Sequence, residues 1–479
     1  MRSAAAEPPR VALVVDHPQR DLAGLVLTAV DLCRRGIVVH LVPLNLQEQE
    51  LWSLRPDLVV LNYVRPGNDR LARQLLEAGV RIGVLDTEGG AWEDCRAYSE
   101  LFWRDRALLG RLSFACMWGP RLAQHLVAEG LMAASQVVVT GCPRFDFYSP
   151  RWRPVFADRD EQPHPLILIN TSFSYGNPRF ASPERNRERL QRELGLGAER
   201  VDAYLAAERR AVAGMVDLAR ALAADVPECR VVLRPHPFED PASYRHALGD
   251  CPGVSVDATG PVQSWIFRSA AVVQRSCSTA IEAALAGVPA LSPQWIQAPA
   301  VVPVAESVSV PCATYEELRL RVRSILAPGN RRGSASDPIQ PVLSDWFFRC
   351  DGQAHSRVGD TIAMHLPDRH AVNARRCRQR LYGVADREGG LLRRLGARLR
   401  YHLRLSPTWS FRPGQETAAQ AWDRSDKRFG ADDVTALVGA IEAAMGVRDQ
   451  PDRAILVRPA RAPGWAHGFR PRSVTLTSG

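Results

Sequence analysis

Two stretches of this 479-residue chain carry side chains suited to holding an anion. Arg234-Pro235-His236-Pro237 follows the β-rich run Val231–Leu233. An arginine and a histidine there, stiffened by two prolines, place two anion-binding groups at the carboxyl edge of a sheet. The same four residues would also make a rigid turn with a solvated arginine. The second stretch is Gln274-Arg275-Ser276-Cys277-Ser278-Thr279-Ala280-Ile281-Glu282, with Gly287 and Pro289 after it. It reads as strand, hydroxyl-rich turn, helix, glycine stop and strand. Hydroxyls and open amides at a helix start suit phosphate. Thr279-x-x-Glu282 equally fits a capping box, and Gly287 a helix C-cap. One helix start can do both jobs. Because both motifs end strands of one sheet, they can converge on one diphosphate.

A different chemistry is written at Asp86-Thr87-Glu88-Gly89-Gly90, after the run Ile82–Leu85. A carboxylate at a strand's carboxyl end can take a proton from an attacking hydroxyl. For Asp86 a turn or cap role also fits. Asp16-His17, after the first strand, is a second pair of this kind, though a histidine followed by proline can be structural. GxGxxG after the first strand, a Walker A loop and HExxH are all absent. Asp158-Arg159-Asp160 spells DxD but has no strand before it, so it is read as chance. Nothing in the sequence calls for a metal or a cofactor.

The elements that must position these residues alternate. Apolar runs at Val11–Val15, Ile37–Val42, Leu58–Leu61, Ile82–Leu85, Phe114–Trp118 and Val137–Thr140 are separated by amphipathic stretches such as Leu22–Arg34, Asp69–Glu77 and Pro120–Glu129. That rhythm means βαβ units and a parallel sheet. It breaks at the proline- and arginine-rich segment Phe147–Pro165. It then restarts with Leu166–Asn170, Val231–Leu233, Val254–Val256, Ala271–Gln274 and Val288–Leu291, with helical patterns at Pro183–Glu193 and Ala198–Ala224. The expected fold class is α/β: two doubly wound parallel-sheet domains facing across a cleft, with a C-terminal basic extension. The expected boundaries are 10–150 for an acceptor-side domain, 151–164 for a linker and 165–330 for a nucleotide-donor domain. A loop-rich and helical region follows at 331–450, with a helix at Ala431–Met445, and a flexible tail at 451–479.

Composition narrows the class. A hydrophobic share of 46% with 24% charged residues excludes a disordered or collagenous chain. No apolar run approaches the ~18 residues of a membrane-spanning helix. The ten cysteines stand far apart with no metal-ligand spacing. With no secretory signal at the N-terminus, reduced thiols in a cytoplasm are expected. Net charge is +9, and Lys427 is the single lysine among 61 basic residues. Ten arginines cluster in Arg375–Arg404. They lack interleaved aromatic platforms, so nucleic acid is not an expected partner. In 390–405, Leu391, Leu392, Leu395, Leu399 and Leu403 recur at helical spacing among arginines. Such a helix can lie on an anionic membrane surface or pack on a core.

Several motifs together resemble the bacterial surface carbohydrate biosynthesis proteins, a family of GT-B-like glycosyltransferases. They are Leu85-Asp-Thr-Glu-Gly-Gly90, Val139-Thr-Gly-Cys-Pro-Arg-Phe-Asp146, Ile167-Leu-Ile-Asn-Thr171, Arg234-Pro-His-Pro237 and Ser276-Cys-Ser-Thr-Ala-Ile-Glu-Ala283. Asp351-Gly352 and Lys427-Arg428-Phe429 also look like family positions. The His-Pro and Ser/Thr-helix pair is similar, more distantly, to that of sialyltransferases, capsule Kdo transferases and CDP-glycerol glycerophosphotransferases.

The resemblance implies that Arg234, His236, Ser276, Ser278 and Thr279 hold the donor's phosphates. Glu282, Asn170 and Thr171 would lie near the nucleotide and ribose, and Gly141 and Arg144 in the cleft. Glu88, or Asp86, would be the catalytic base. Cys142 stands where the family pattern has asparagine. The implied activity is transfer of a sugar from a nucleotide-activated donor, CMP-linked among others, onto a capsule, lipopolysaccharide or similar glycan. The acceptor would be a glycan or lipid-linked glycan, reached at the inner face of the membrane. A CDP-polyol phosphotransferase, a UDP-sugar epimerase and a non-catalytic scaffold for glycan assembly remain as alternatives.

Overall fold

Short runs of Val, Ile and Leu bounded by helices fold as parallel strands when both faces are covered. A computed structural model describes residues 8–65, 68–89, 92, 94–157, 164–194, 197–327, 340–367, 427–447, 454–460 and 472–479. They fall into two units. One comprises Met1–Gly89, Asp94–Val155 and Trp346–Gly479, the other Gly90–Glu93 and Phe156–Asp345.

Unit 1 begins with β1 (Arg10–Val15), β2 (Val38–Pro43), β3 (Leu58–Leu61), β4 (Arg81–Leu85), β5 (Phe114–Met117) and β6 (Val137–Val139). Unit 2 holds β7 (Leu166–Asn170), β8 (Arg230–Arg234), β9 (Val254–Val256), β10 (Ser269–Gln274), β11 (Ala290–Pro293) and β12 (Val310–Cys312). The chain closes with β13 (Ile455–Pro459) and β14 (Val474–Ser478).

The unit 1 sheet runs β13-β14-β2-β1-β3-β4-β5-β6. Its strand order reverses between β1 and β3, where an open parallel sheet leaves a crevice at the strands' carboxyl ends. The unit 2 sheet runs β12-β11-β10-β7-β8-β9 and is parallel throughout. Counted within the unit, this is the 3-2-1-4-5-6 order of a dinucleotide-binding fold, with its crevice between β7 and β10. Ile167, Ile169, Val231, Leu233, Ala271 and Val273 fill the core beneath the 28-residue helix Ala198–Asp225.

The C-terminal region departs from expectation. The helices Ala354–Met364 and Ala431–Ala444 pack along the helix Ala23–Arg34 of unit 1 instead of forming a separate region. β13 and β14, expected within a flexible tail, add antiparallel strands to the β2 edge. Val474 and Leu476 are buried there, and an otherwise open edge of backbone groups gains a partner. Proline, glycine and arginine around these strands mask their alternation in the sequence. Asp158–Asp160, Gly90 and the 390–405 stretch lie outside the described residues. No helix among the described residues is long and apolar enough to cross a membrane.

Glu50 anchors the returning strand. Its buried carboxylate accepts from the N–H groups of Arg472 and Ser473, both at 2.8 Å, and from the Ser473 hydroxyl. Glu50→Ala strands these donors and is expected to lower unfolding free energy by roughly 1–3 kcal/mol, read from urea denaturation.

Candidate functional site

Residues Asn170, Arg234 and Gln274 stand in register at the carboxyl ends of β7, β8 and β10. Neighbouring strands lie ~4.8 Å apart, so the turns after β8 and β10 begin about 10 Å from each other, on either side of β7. The two anion-binding motifs thus flank the unit 2 crevice.

The turn after β8 is organised by a residue that sequence reasoning missed, Glu239. Its fully buried carboxylate accepts from the N–H groups of His236 and Phe173, both at 2.7 Å, from the Tyr244 hydroxyl at 3.0 Å, and from Thr171 Oγ1. Burial raises its pKa, against these donors. A glutamate three residues after a histidine, in an Arg-Pro-His-Pro-Phe-Glu run, was the only signal for it. The His236 ring accepts from the Phe238 N–H at Nδ1, 3.2 Å away. A neutral ring so placed carries its proton on Nε2.

The other expected phosphate residues divide. Arg234 points its two Nη groups at the carbonyls of Thr259, 2.7 Å, and Gly260, 2.5 Å, so it pins that loop. Burial pulls its pKa down to about 10. Ser276 is a turn-former: its φ of 59° is left-handed, a conformation costing a non-glycine residue ~1–2 kcal/mol. Glu306 holds it there by accepting from its N–H at 2.9 Å, and its hydroxyl accepts from Val302 N–H at 2.5 Å. Ser278 precedes the helix Thr279–Leu285 and its side chain makes no capping bond. The capping box expected of Thr279 and Glu282 is therefore not formed, because the helix starts one residue earlier than that pairing requires. Thr279 Oγ1 has only the Cys277 sulfur, at 3.2 Å. Gly287 does close the helix, donating to Ala284 O at 3.1 Å. Asn170 is buried with its Nδ2 unpartnered. Thr171 is committed to Glu239, and Glu282 is buried near Arg234, whose charge it favours. Asn170 keeps an unpartnered donor at the crevice, while Arg234, Ser276 and Thr171 hold the frame.

Unit 1 gathers charges at the carboxyl ends of β1 and β4. Arg20 donates to Asp16 at 2.9 Å, to Asp21 at 3.0 Å and to Glu88 at 2.6 Å. Lys427 reaches Asp16 at 2.7 Å. Asp16 thus joins Glu88 in one network, although 68 residues separate Glu88 from its partner Arg20. Asp86 is 1% exposed. Its Oδ1 accepts from the Tyr98 hydroxyl and from Glu88 N–H at 2.9 Å, while its backbone carbonyl accepts from Trp118 Nε1 at 2.6 Å. Oδ2 has no partner, and a Cβ on Gly89 would meet it at 3.1 Å. A cavity of about 30 Å³ lies against Asp86, Asp21 and Arg144, too small for a sugar ring. Asp86 therefore supports the turn, and Glu88, 30% exposed at its side chain, is the carboxylate that reaches solvent.

Two expected cleft residues prove internal to unit 1. Arg144 is buried beside Asp21, 3.8 Å away, with Trp118 and Phe145 against its guanidinium. Gly141, at φ +77°, lets the helix Ala354–Met364 approach, since a Cβ there would meet Ala354 at 3.2 Å. Asp146 fastens the same helix by accepting from the N–H groups of Ala354, 3.0 Å, and His355, 2.8 Å. No group of three or more potential metal ligands occurs among the described residues.

No protein-family model matches the chain, and no curated protein matches it. Solved structures are similar over most of their length. A UDP-GlcNAc 2-epimerase from Neisseria meningitidis, bound to UDP-GlcNAc, aligns at 12% identity and TM-score 0.47, over 74% of this chain and 100% of that one. The wall teichoic acid polymerase TagF aligns at 10% and 0.46, over 74% and 88%. The calicheamicin glycosyltransferase CalG4 aligns at 18% and 0.41, over 77% and 100%.

Asp86 gives unit 1 a pH signature. Burial raises its pKa from 3.8 to about 7. Between those values the folded protein holds a proton there that the unfolded chain has released, so the contribution of Asp86 to stability falls as pH rises from about 4 to about 7. Asp86→Asn keeps the Oδ1 acceptor and cannot ionise. Its stability relative to the parent, from urea denaturation at a series of pH values, is expected to improve from pH 5 to about pH 7 and to level off above that.

Proposed function

We propose that the chain is a metal-independent glycosyltransferase of the GT-B kind. Unit 2 takes a nucleotide-activated sugar, CMP-linked donors among the candidates. Unit 1 supplies the base for a hydroxyl of a surface glycan or its lipid-linked form. The observation that carries this reading is the unit 2 crevice. A dinucleotide-fold strand order brings His236, Ser278, Thr279 and Asn170 to the two sides of one strand end, where the Asn170 Nδ2 is buried with no partner of its own. Neutral donors held by a rigid frame stabilise charge on a departing phosphate, because they need not reorganise as the charge develops. Glu88 has one oxygen on Arg20, which leaves the other to receive a hydroxyl proton.

Thermal-shift measurements with CMP, CDP, UDP and GDP test the donor site, since a ligand of the folded state raises the melting temperature. His236→Ala is expected to weaken the preferred nucleotide by roughly 1–3 kcal/mol with the fold retained; undiminished affinity would remove the central claim. Glu88→Gln is expected to keep nucleotide affinity while turnover drops about 10²–10⁴-fold. Conversion of the donor into a second sugar nucleotide with no acceptor present would assign an epimerase instead.

A further inference from the structure

Of the 61 basic residues in this chain, 60 are arginine, and Lys427 alone is lysine. Where charge is all that matters, this composition writes arginine. The exception sits in a particular place. Lys427 comes from the far end of the sequence, 411 residues from its partner, yet its side chain is only 14% exposed and its Nζ lies 2.7 Å from Asp16 Oδ1. The other Asp16 oxygen is held by Arg20 at 2.9 Å. Arg20 in turn carries Asp21 on Nε and Glu88 on Nη1. Charges alternate along this line: ammonium, carboxylate, guanidinium, carboxylate. Burial alone would raise the Asp16 pKa, but Arg20 and Lys427 reverse that and hold it at about 2.

An ammonium is a compact point donor, whereas a guanidinium is a planar fork that seeks both oxygens of a carboxylate. Here one oxygen is already taken by Arg20. We propose that Lys427 is a positioning residue: its ammonium aims Asp16, and through Asp16 and Arg20 sets where the Glu88 carboxylate stands, a task that arginine cannot perform. This rests on the assignment of Glu88 as base.

The single lysine makes the test direct. Full-length protein grown with ¹⁵N-lysine carries one side-chain ammonium signal. It is expected away from the free-lysine position, to move onto it in Asp16→Asn, and to shift in Glu88→Gln. Asp202→Asn, which breaks an exposed pair with Arg187 in unit 2, should leave it in place. A wild-type signal at the free-lysine position, or one unmoved by Asp16→Asn or by Glu88→Gln, overturns the linkage.

In turnover, Lys427→Arg and Lys427→Met should each lower kcat by about 10–100-fold, the scale of a small misplacement at a reacting centre. The donor KM should stay unchanged. Asp16→Asn combined with Lys427→Met should be no worse than either alone, because residues acting as one unit are not additive. Wild-type kcat in Lys427→Arg, with the melting curve unchanged, overturns the requirement for lysine. If the wild type turns over no donor, the glycosyltransferase reading fails, and the ammonium signals still decide whether Lys427 is linked to Glu88.

Discussion

Carboxylates withdrawn from water hold the loops of this molecule. A parallel sheet delivers its functional loops at the carboxyl ends of the strands, and the backbone N–H groups of those loops need acceptors once helices cover them. In unit 2, Glu239 takes the N–H groups of Phe173 and His236, and Glu306 takes that of Ser276. In unit 1, Asp86 takes the N–H of Glu88, Asp146 those of Ala354 and His355, and Glu50 those of Arg472 and Ser473. Each carboxylate lies between segments that the chain alone would leave independent. Removing any one leaves two or more buried donors or strands without a tie, which makes these positions costlier than surface ion pairs.

The same device separates frame from chemistry. At the unit 2 crevice, Arg234, Thr171 and Ser276 have their polar atoms engaged by carbonyls, a carboxylate or backbone N–H groups. His236, Ser278, Thr279 and Asn170 stand beside them at or just beyond the same strand ends. In unit 1 the division falls between neighbours. Asp86 is inward, with its pKa raised by burial to about 7, while Glu88, two residues on, faces outward in an ion pair.

Much of this was legible beforehand. The runs at Leu58–Leu61, Leu166–Asn170 and Val254–Val256 are strands with those bounds, and the helix over Asp69–Glu77 likewise. Buried parallel strands announce themselves as short β-branched runs, and the amphipathic stretches between them as helices, because those periodicities follow from local geometry. β13 and β14 were not legible. Their burial comes from the β2 edge, more than 400 residues earlier, and nothing local to them signals it.

The candidate site shows the same boundary. Residue types and their place after strands offered His236, Ser278, Thr279, Glu88 and Asp86 only as candidates, since a strand end followed by polar residues reaches the open edge of a parallel sheet. Which of them hold the frame was settled only by folding. Glu239 became a hub because burial brought four donors around one carboxylate, and Arg234 became a loop pin because two carbonyls met its guanidinium. Lys427 met Asp16 across 411 residues. Hydrogen-bond and charge partners of this kind are relations between distant segments, and a sequence carries local preference for each segment without the distance between them.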